Sequence, residues 1–127
     1  NLVIRHGNAV GLDYPDMAFD IVHSNSVIEH VGRWPEMQQM AAQVRRLAPR
    51  YFVQTPNYWF PLEPHYPLPF VQFLPRAIPN RLRDAVWPGH SIELLGARQV
   101  RALFPDAAIK RERYLGLAKS LVAIKAG

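Results

Sequence analysis

Phe19-Asp20-Ile21-Val22-His23-Ser24-Asn25-Ser26-Val27-Ile28-Glu29-His30-Val31 decides the fold of this chain. Residues 19–23 are mostly β-favouring, and Ser24-Asn25-Ser26 then presents three small polar residues, so the pattern predicts a strand stopping at a polar edge. Downstream, Met37, Met40, Ala41, Val44 and Leu47 recur at the i, i+3, i+4, i+7 spacing of an amphipathic helix over 35–47. Pro35 suits its first turn and Pro49 its end. Tyr51-Phe52-Val53-Gln54-Thr55 returns to strand and is halted by Pro56-Asn57. Strand, helix and strand joined by short connections predict parallel strands with a crossover helix.

Upstream of this unit, residues 2–6 read as a short strand and 7–18, with Pro15, as a loop. Downstream the composition changes. Eight of the twelve prolines fall between Pro56 and Pro88, together with Tyr58, Trp59, Phe60, Tyr66, Phe70, Phe73 and Trp87. No single regular element accommodates that many prolines, so 56–90 is expected to be an inserted lid or binding segment. A helix follows over 97–104, with Gly96 at its entry, and two strands near 108–114 and 120–125 form a closing hairpin around 115–118. No internal repeat is present.

The chain has 127 residues, 49% of them hydrophobic, enough for one core. Its net charge of +5 comes from scattered basic residues, the pattern of a solvated surface. There is no cysteine, which removes disulfides, thiolate nucleophiles and Cys-based zinc sites and makes a reducing cytoplasm the default expectation. No apolar run reaches the ~18 residues of a membrane span. No H-x-x-x-H or H-E-x-x-H pair supports a metal site, and neither a G-x-S-x-G elbow nor a phosphate-binding G-x-x-x-x-G-K loop occurs.

The stretch 19–31 resembles the fourth-strand motif of class I S-adenosylmethionine-dependent methyltransferases, written FD-x-V with a short polar stretch and an L-E-H-V-like ending. Gly7-Asn8-Ala9 resembles the G-D-A after that family's third strand, and Arg46-Leu47-Ala48-Pro49 its R-V-L-K-P turn. Tyr51 to Asn57 resembles the fifth strand with its terminal P-N, and Gly116-Leu117-Ala118-Lys119-Ser120-Leu121 the sixth-to-seventh strand hairpin. The resemblance implies a Rossmann-like α/β open sheet, mostly parallel with a closing antiparallel hairpin, binding S-adenosylmethionine across the carboxyl ends of its strands. The family's glycine-rich G-x-G loop and the acidic residue ending its second strand are not in the sequence, so residues 1–127 are expected to form a partial domain lacking its amino-terminal strands. Exposed sheet edges then favour self-association.

The resemblance implies that Asn8, in the place of an acidic residue, accepts from the adenine amino group, and that Ala9 offers its backbone N–H to the ring. Asn8 equally suits a plain turn. Ser24 and Asn25 match the position where backbone meets the methionine part of the cofactor, or cap the next segment. Glu29 and His30 complete the motif, either in catalysis or in a structural hydrogen bond at a helix entry. Asn57, Tyr58 and Trp59 follow the fifth strand, where acceptors are contacted, and His65 and Tyr66 lie farther into the cover. His65 is the leading candidate base, with His30 second. An aromatic pocket suits a small-molecule acceptor better than nucleic acid. The expected function is methyl transfer to such an acceptor by an incomplete catalytic domain. The alternative is a non-catalytic interaction domain that has lost the cofactor, and a nucleic-acid-binding module ranks last.

Overall fold

A computed structural model describes residues 2–62, 68–75, 77–86 and 92–127. Strand β1 (Ile21–Asn25), helix α1 (Trp34–Leu47) and strand β2 (Arg50–Pro56) form the expected unit. The strands are parallel, with Ile21 opposite Arg50 and Asn25 opposite Gln54. The predicted apolar stripe of α1, Met37 through Leu47, is the face that is buried. At its entry Gly32 has φ 136°, and the Glu36 carboxylate turns back to accept from the Arg33 backbone N–H at 2.9 Å. Pro35 sits where no helical N–H bond is lost.

Two further helices follow, α2 (Ala77–Val86) and α3 (Ala97–Leu103), then strands β3 (Ala108–Tyr114) and β4 (Leu117–Lys125). Strand β4 inserts between β2 and β3, antiparallel to both, and gives the order β1-β2-β4-β3. The sheet is therefore mixed rather than mostly parallel among the described residues: α1 supplies a crossover for one parallel pair, and a tight hairpin can only join antiparallel strands. Tyr114 pairs with Leu117, so the connection is the two residues Leu115 and Gly116, at φ 49° and 83°. It is shorter than the 115–118 expected, because Leu117 and Ala118 already belong to β4.

The core joins Met37, Met40 and Val44 of α1 to Tyr51 and Val53 of β2, Val100 and Leu103 of α3, and Leu121 and Ala123 of β4. Their burial follows directly from the period of each element. Arg46 staples the incoming chain to the far end of α1, donating to the carbonyls of Leu12 (2.7 Å) and Tyr14 (2.6 Å) and to Asp16 (3.0 Å).

The strand expected at 2–6 is not formed. Leu2, Val3 and Ile4 are largely exposed, and no described strand pairs with them, so their apolar character alone does not make a strand. Helix α2 was not anticipated; Pro79, inside its first turn, is compatible with a helix start.

Candidate functional site

The carboxyl end of β1 is closely tied to β2. Ser26, at φ 53°, donates its N–H to the Gln54 carbonyl (3.1 Å) and its Oγ to Gln54 Oε1 (3.0 Å). The left-handed turn ends the strand there and leaves Asn25 exposed at its tip. Beside it Ser24 is 8% exposed, yet its Oγ has no hydrogen-bond partner among the described residues. A buried hydroxyl normally finds a partner, so this atom stands out among the described residues.

Past the strand, Ile28–His30 forms a short helical turn that buries Glu29 completely. The Glu29 carboxylate accepts from Thr55 Oγ1 at 3.0 Å, and its backbone carbonyl accepts from the Glu93 N–H at 2.9 Å. Glu29 thus locks β1's exit to both β2 and the 92–96 segment, the structural hydrogen bond weighed for it. His30 lies outward, with Nε2 at 3.8 Å from Glu29 Oε1.

A cleft of about 1240 Å³ opens at this same end of the sheet. One wall is the entry of α1, from Val31 to Glu36; the other is Tyr58 and Trp59, which follow β2, with Gln72, Asn80 of α2 and Glu93 closing it. Tyr58 is anchored by its N–H to the Leu95 carbonyl (3.1 Å) and its hydroxyl to the Gln72 carbonyl (3.3 Å). Trp59 stacks on Phe73 at a ring separation of 5.9 Å and meets Tyr58 edge-on at 5.1 Å. Gln72 is 6% exposed; its Nε2 donates to the Phe60 carbonyl, and its Oε1 has no partner among the described residues. The cleft is therefore lined by aromatic rings, the Gln72 amide and the acidic residues Glu36 and Glu93.

The expected site residues divide by location. Tyr58 and Trp59 line the cleft, and Ser24 and Asn25 end β1. Asn57 is buried beneath the cleft wall: its Nδ2 donates to the Ala118 carbonyl at 2.8 Å and its N–H to the Lys119 carbonyl at 3.0 Å, which clamps β2's exit to β4. Asn8 accepts from the Val10 N–H at 3.2 Å, the side-chain turn it was equally suited to, and Ala9 packs against the core. His30 is not among the cleft-lining residues. His65 and Tyr66 lie outside the described residues.

Sequence reasoning missed Gln72 and the Gly32–Glu36 entry. The available signals were a lone amide inside Phe70-Val71-Gln72-Phe73-Leu74 and a glycine four residues before a glutamate. A Cβ on Gly32 would stand 3.0 Å from Glu36 Cγ, so glycine is required for the carboxylate's return to Arg33.

One pronounced electrostatic perturbation lies away from the cleft. Burial, reinforced by the neighbouring Asp106 carboxylate, pushes the Tyr51 phenol well above its ordinary range. Burial works against the charge on Asp106, but hydrogen bonds from Tyr51 and Lys125 outweigh it and hold that carboxyl below its usual value. This trio fastens β2, β4 and the turn after α3. Among the described residues no group of three His, Cys, Asp or Glu could hold a metal ion, and no helix is long and apolar enough to cross a membrane.

No protein-family profile and no curated protein sequence matches the chain. Solved structures do. A SAM-dependent methyltransferase from Methanosarcina mazei aligns over 93% of this chain and 63% of its own, at a TM-score of 0.56 and 14% identity. A protein from Pyrococcus horikoshii aligns over 93% and 56%, at 0.55 and 17%. A proposed O-methyltransferase from Nostoc punctiforme aligns over 94% and 34%, at 0.54 and 14%. The chain has the Rossmann-like fold of class I methyltransferases, and it spans less than two thirds of the length of each of these structures.

Proposed function

We propose that the chain is the acceptor-side part of an S-adenosylmethionine-dependent methyltransferase acting on a small molecule. The observation that carries this is the combination of the methyltransferase fold with the unpartnered Ser24 Oγ at the carboxyl end of β1, beside an aromatic cleft. Ligands of open α/β sheets bind at that end. Ser24 and Asn25 hold the methionine part of S-adenosylmethionine. Asn8 and Ala9 take its adenine, Asn8 with the lone pair of Oδ1 that Val10 leaves over. The cofactor supplies an electrophilic methyl group on a sulfonium.

Tyr58 and Trp59, with Asn57 fixing their backbone, orient the nucleophilic atom of the acceptor toward the methyl group, and His65 and Tyr66 are the further acceptor-binding candidates that the sequence names. With the cofactor bound, the acceptor would form the bond to the methyl carbon and the sulfur would keep the electron pair of the bond that breaks. The acceptor's proton passes to a base, for which His65 and then His30 are the candidates. No metal takes part in this scheme.

Titration of S-adenosylhomocysteine, followed by calorimetry, tests the assignment on this chain and on a form carrying any sequence that precedes Asn1 in its gene. Ser24→Val is expected to weaken binding about tenfold, consistent with loss of one buried hydrogen bond, while Trp59→Ala retains it. Equal affinity in wild type and Ser24→Val removes the Ser24 assignment. Failure of both wild-type forms to bind favours the non-catalytic interaction domain instead.

A further inference from the structure

The tip of the β3–β4 hairpin runs against the usual rules for a two-residue turn. Both central residues have positive φ, a geometry that favours Asn-Gly, yet the first is Leu115 at φ 49°. That leucine is 87% exposed, and its neighbours Tyr114 and Leu117 are 56% and 53% exposed. The strained backbone thus holds three apolar side chains in water at a convex point. Strain of this kind persists at sites of function, where another contact repays it. The last β2–β4 pair is Pro56 with Ser120, so the tip projects beyond the end of β2, at the end of the sheet where the cleft opens.

Directly behind the tip the charge is predominantly positive. Arg111 and Arg113 on β3 line a groove with Arg101 of α3, Ala97, Ile109 and Lys110, and Lys119 lies on the neighbouring strand β4. None of these five cations has an ion-pair partner among the described residues. The adjoining carboxylate of Glu112 is taken by Ser120 Oγ. Solvation of an edge strand accounts for the cations but not for the leucine at the turn.

We propose that this hairpin is a peripheral docking site for an anionic lipid surface: Tyr114, Leu115 and Leu117 enter the interface, and the cations behind them lie on the lipid phosphates. An aromatic and aliphatic tip backed by Lys and Arg matches the two layers of a bilayer surface, apolar inside and anionic outside. A protein partner or second copy fits less well. Three side chains on a convex turn fall far short of the ~1,200 Å² or more that a stable protein interface buries. Docking here would turn the cleft's end of the sheet toward the lipid. The inference stands on the hairpin alone and not on the cofactor assignment.

Co-sedimentation of the full chain with vesicles of phosphatidylcholine, with and without about 30% phosphatidylserine, tests it. Binding is expected to the anionic vesicles and not to the neutral ones. Leu115→Asn places the residue the turn prefers, so it preserves the fold, and it is expected to weaken binding about tenfold through lost apolar insertion. The pair Arg111→Gln and Arg113→Gln is expected to weaken it about thirtyfold and to flatten its salt dependence. No binding by the wild type, or full binding by Leu115→Asn, overturns the proposal; the second result, with loss in the arginine pair, reduces the hairpin to a general polyanion-binding patch.

Discussion

The β1–α1–β2 unit and the cleft wall at Tyr58 and Trp59 are built on opposite terms. In the first, Met37, Tyr51 and Val53 are essentially inaccessible, and every β1 residue has a ladder partner on β2. In the second, Trp59 is 69% exposed, and the wall is held through a few long-range bonds such as Tyr58 N–H to the Leu95 carbonyl. One region is a scaffold whose order comes from packing. The other is a surface of rings laid over it, where a ligand can supply part of the missing burial. Low local stability is what binding segments are commonly built from.

Mutations should separate the two regions in order of size. Met37→Ala, which opens a cavity at a fully buried site, is expected to cost about 2–5 kcal/mol in urea unfolding. Gly32→Ala is expected to cost about 1–3 kcal/mol, because φ 136° strains any side chain and the new Cβ displaces Glu36 from its bond to Arg33. Trp59→Ala should change stability by about 0.5 kcal/mol or less, since the ring is mostly in water. A loss from Trp59→Ala as large as that from Met37→Ala would erase the distinction between scaffold and cover.

The Tyr51–Asp106–Lys125 trio adds a pH test of the scaffold. Asp106 has its carboxyl held below the usual value in the folded chain, so its contribution is present above the unfolded carboxyl's ordinary range and is lost as pH falls through the lower folded value. Tyr51→Phe removes one of the bonds responsible. The urea midpoint of that variant should fall at pH 7 and show a weaker dependence on acid than the wild type; parallel acid profiles would assign the stabilisation elsewhere.

The same contrast explains what the sequence makes legible. In 19–56 each element carries its own period: a five-residue apolar stripe marks α1, and Tyr51, Val53 and Thr55 alternate inward on β2. Most of the resemblance to methyltransferases lies in these residues, and the fold agrees. Leu2-Val3-Ile4 has strand composition but no partner among the described residues, and pairing is a property of two segments. The cleft is legible only in part. Tyr58 and Trp59 stand out by position after β2, whereas Gln72 reaches the same wall through Phe60 and Tyr58, contacts that no local pattern encodes. Asn57, which the resemblance implies as an acceptor contact, also donates from its amide to the Ala118 carbonyl, a contact between distant strands that no local pattern encodes.

The central claim is that the carboxyl end of β1 holds the cofactor. Hydrogen–deuterium exchange with and without S-adenosylhomocysteine tests it most directly, on the chain together with any sequence that precedes it in its gene. The account predicts added protection in the peptide carrying Ser24, Asn25 and Ser26, with the β3–β4 hairpin unchanged. Binding that protects other segments and leaves residues 24–26 unaltered would contradict it.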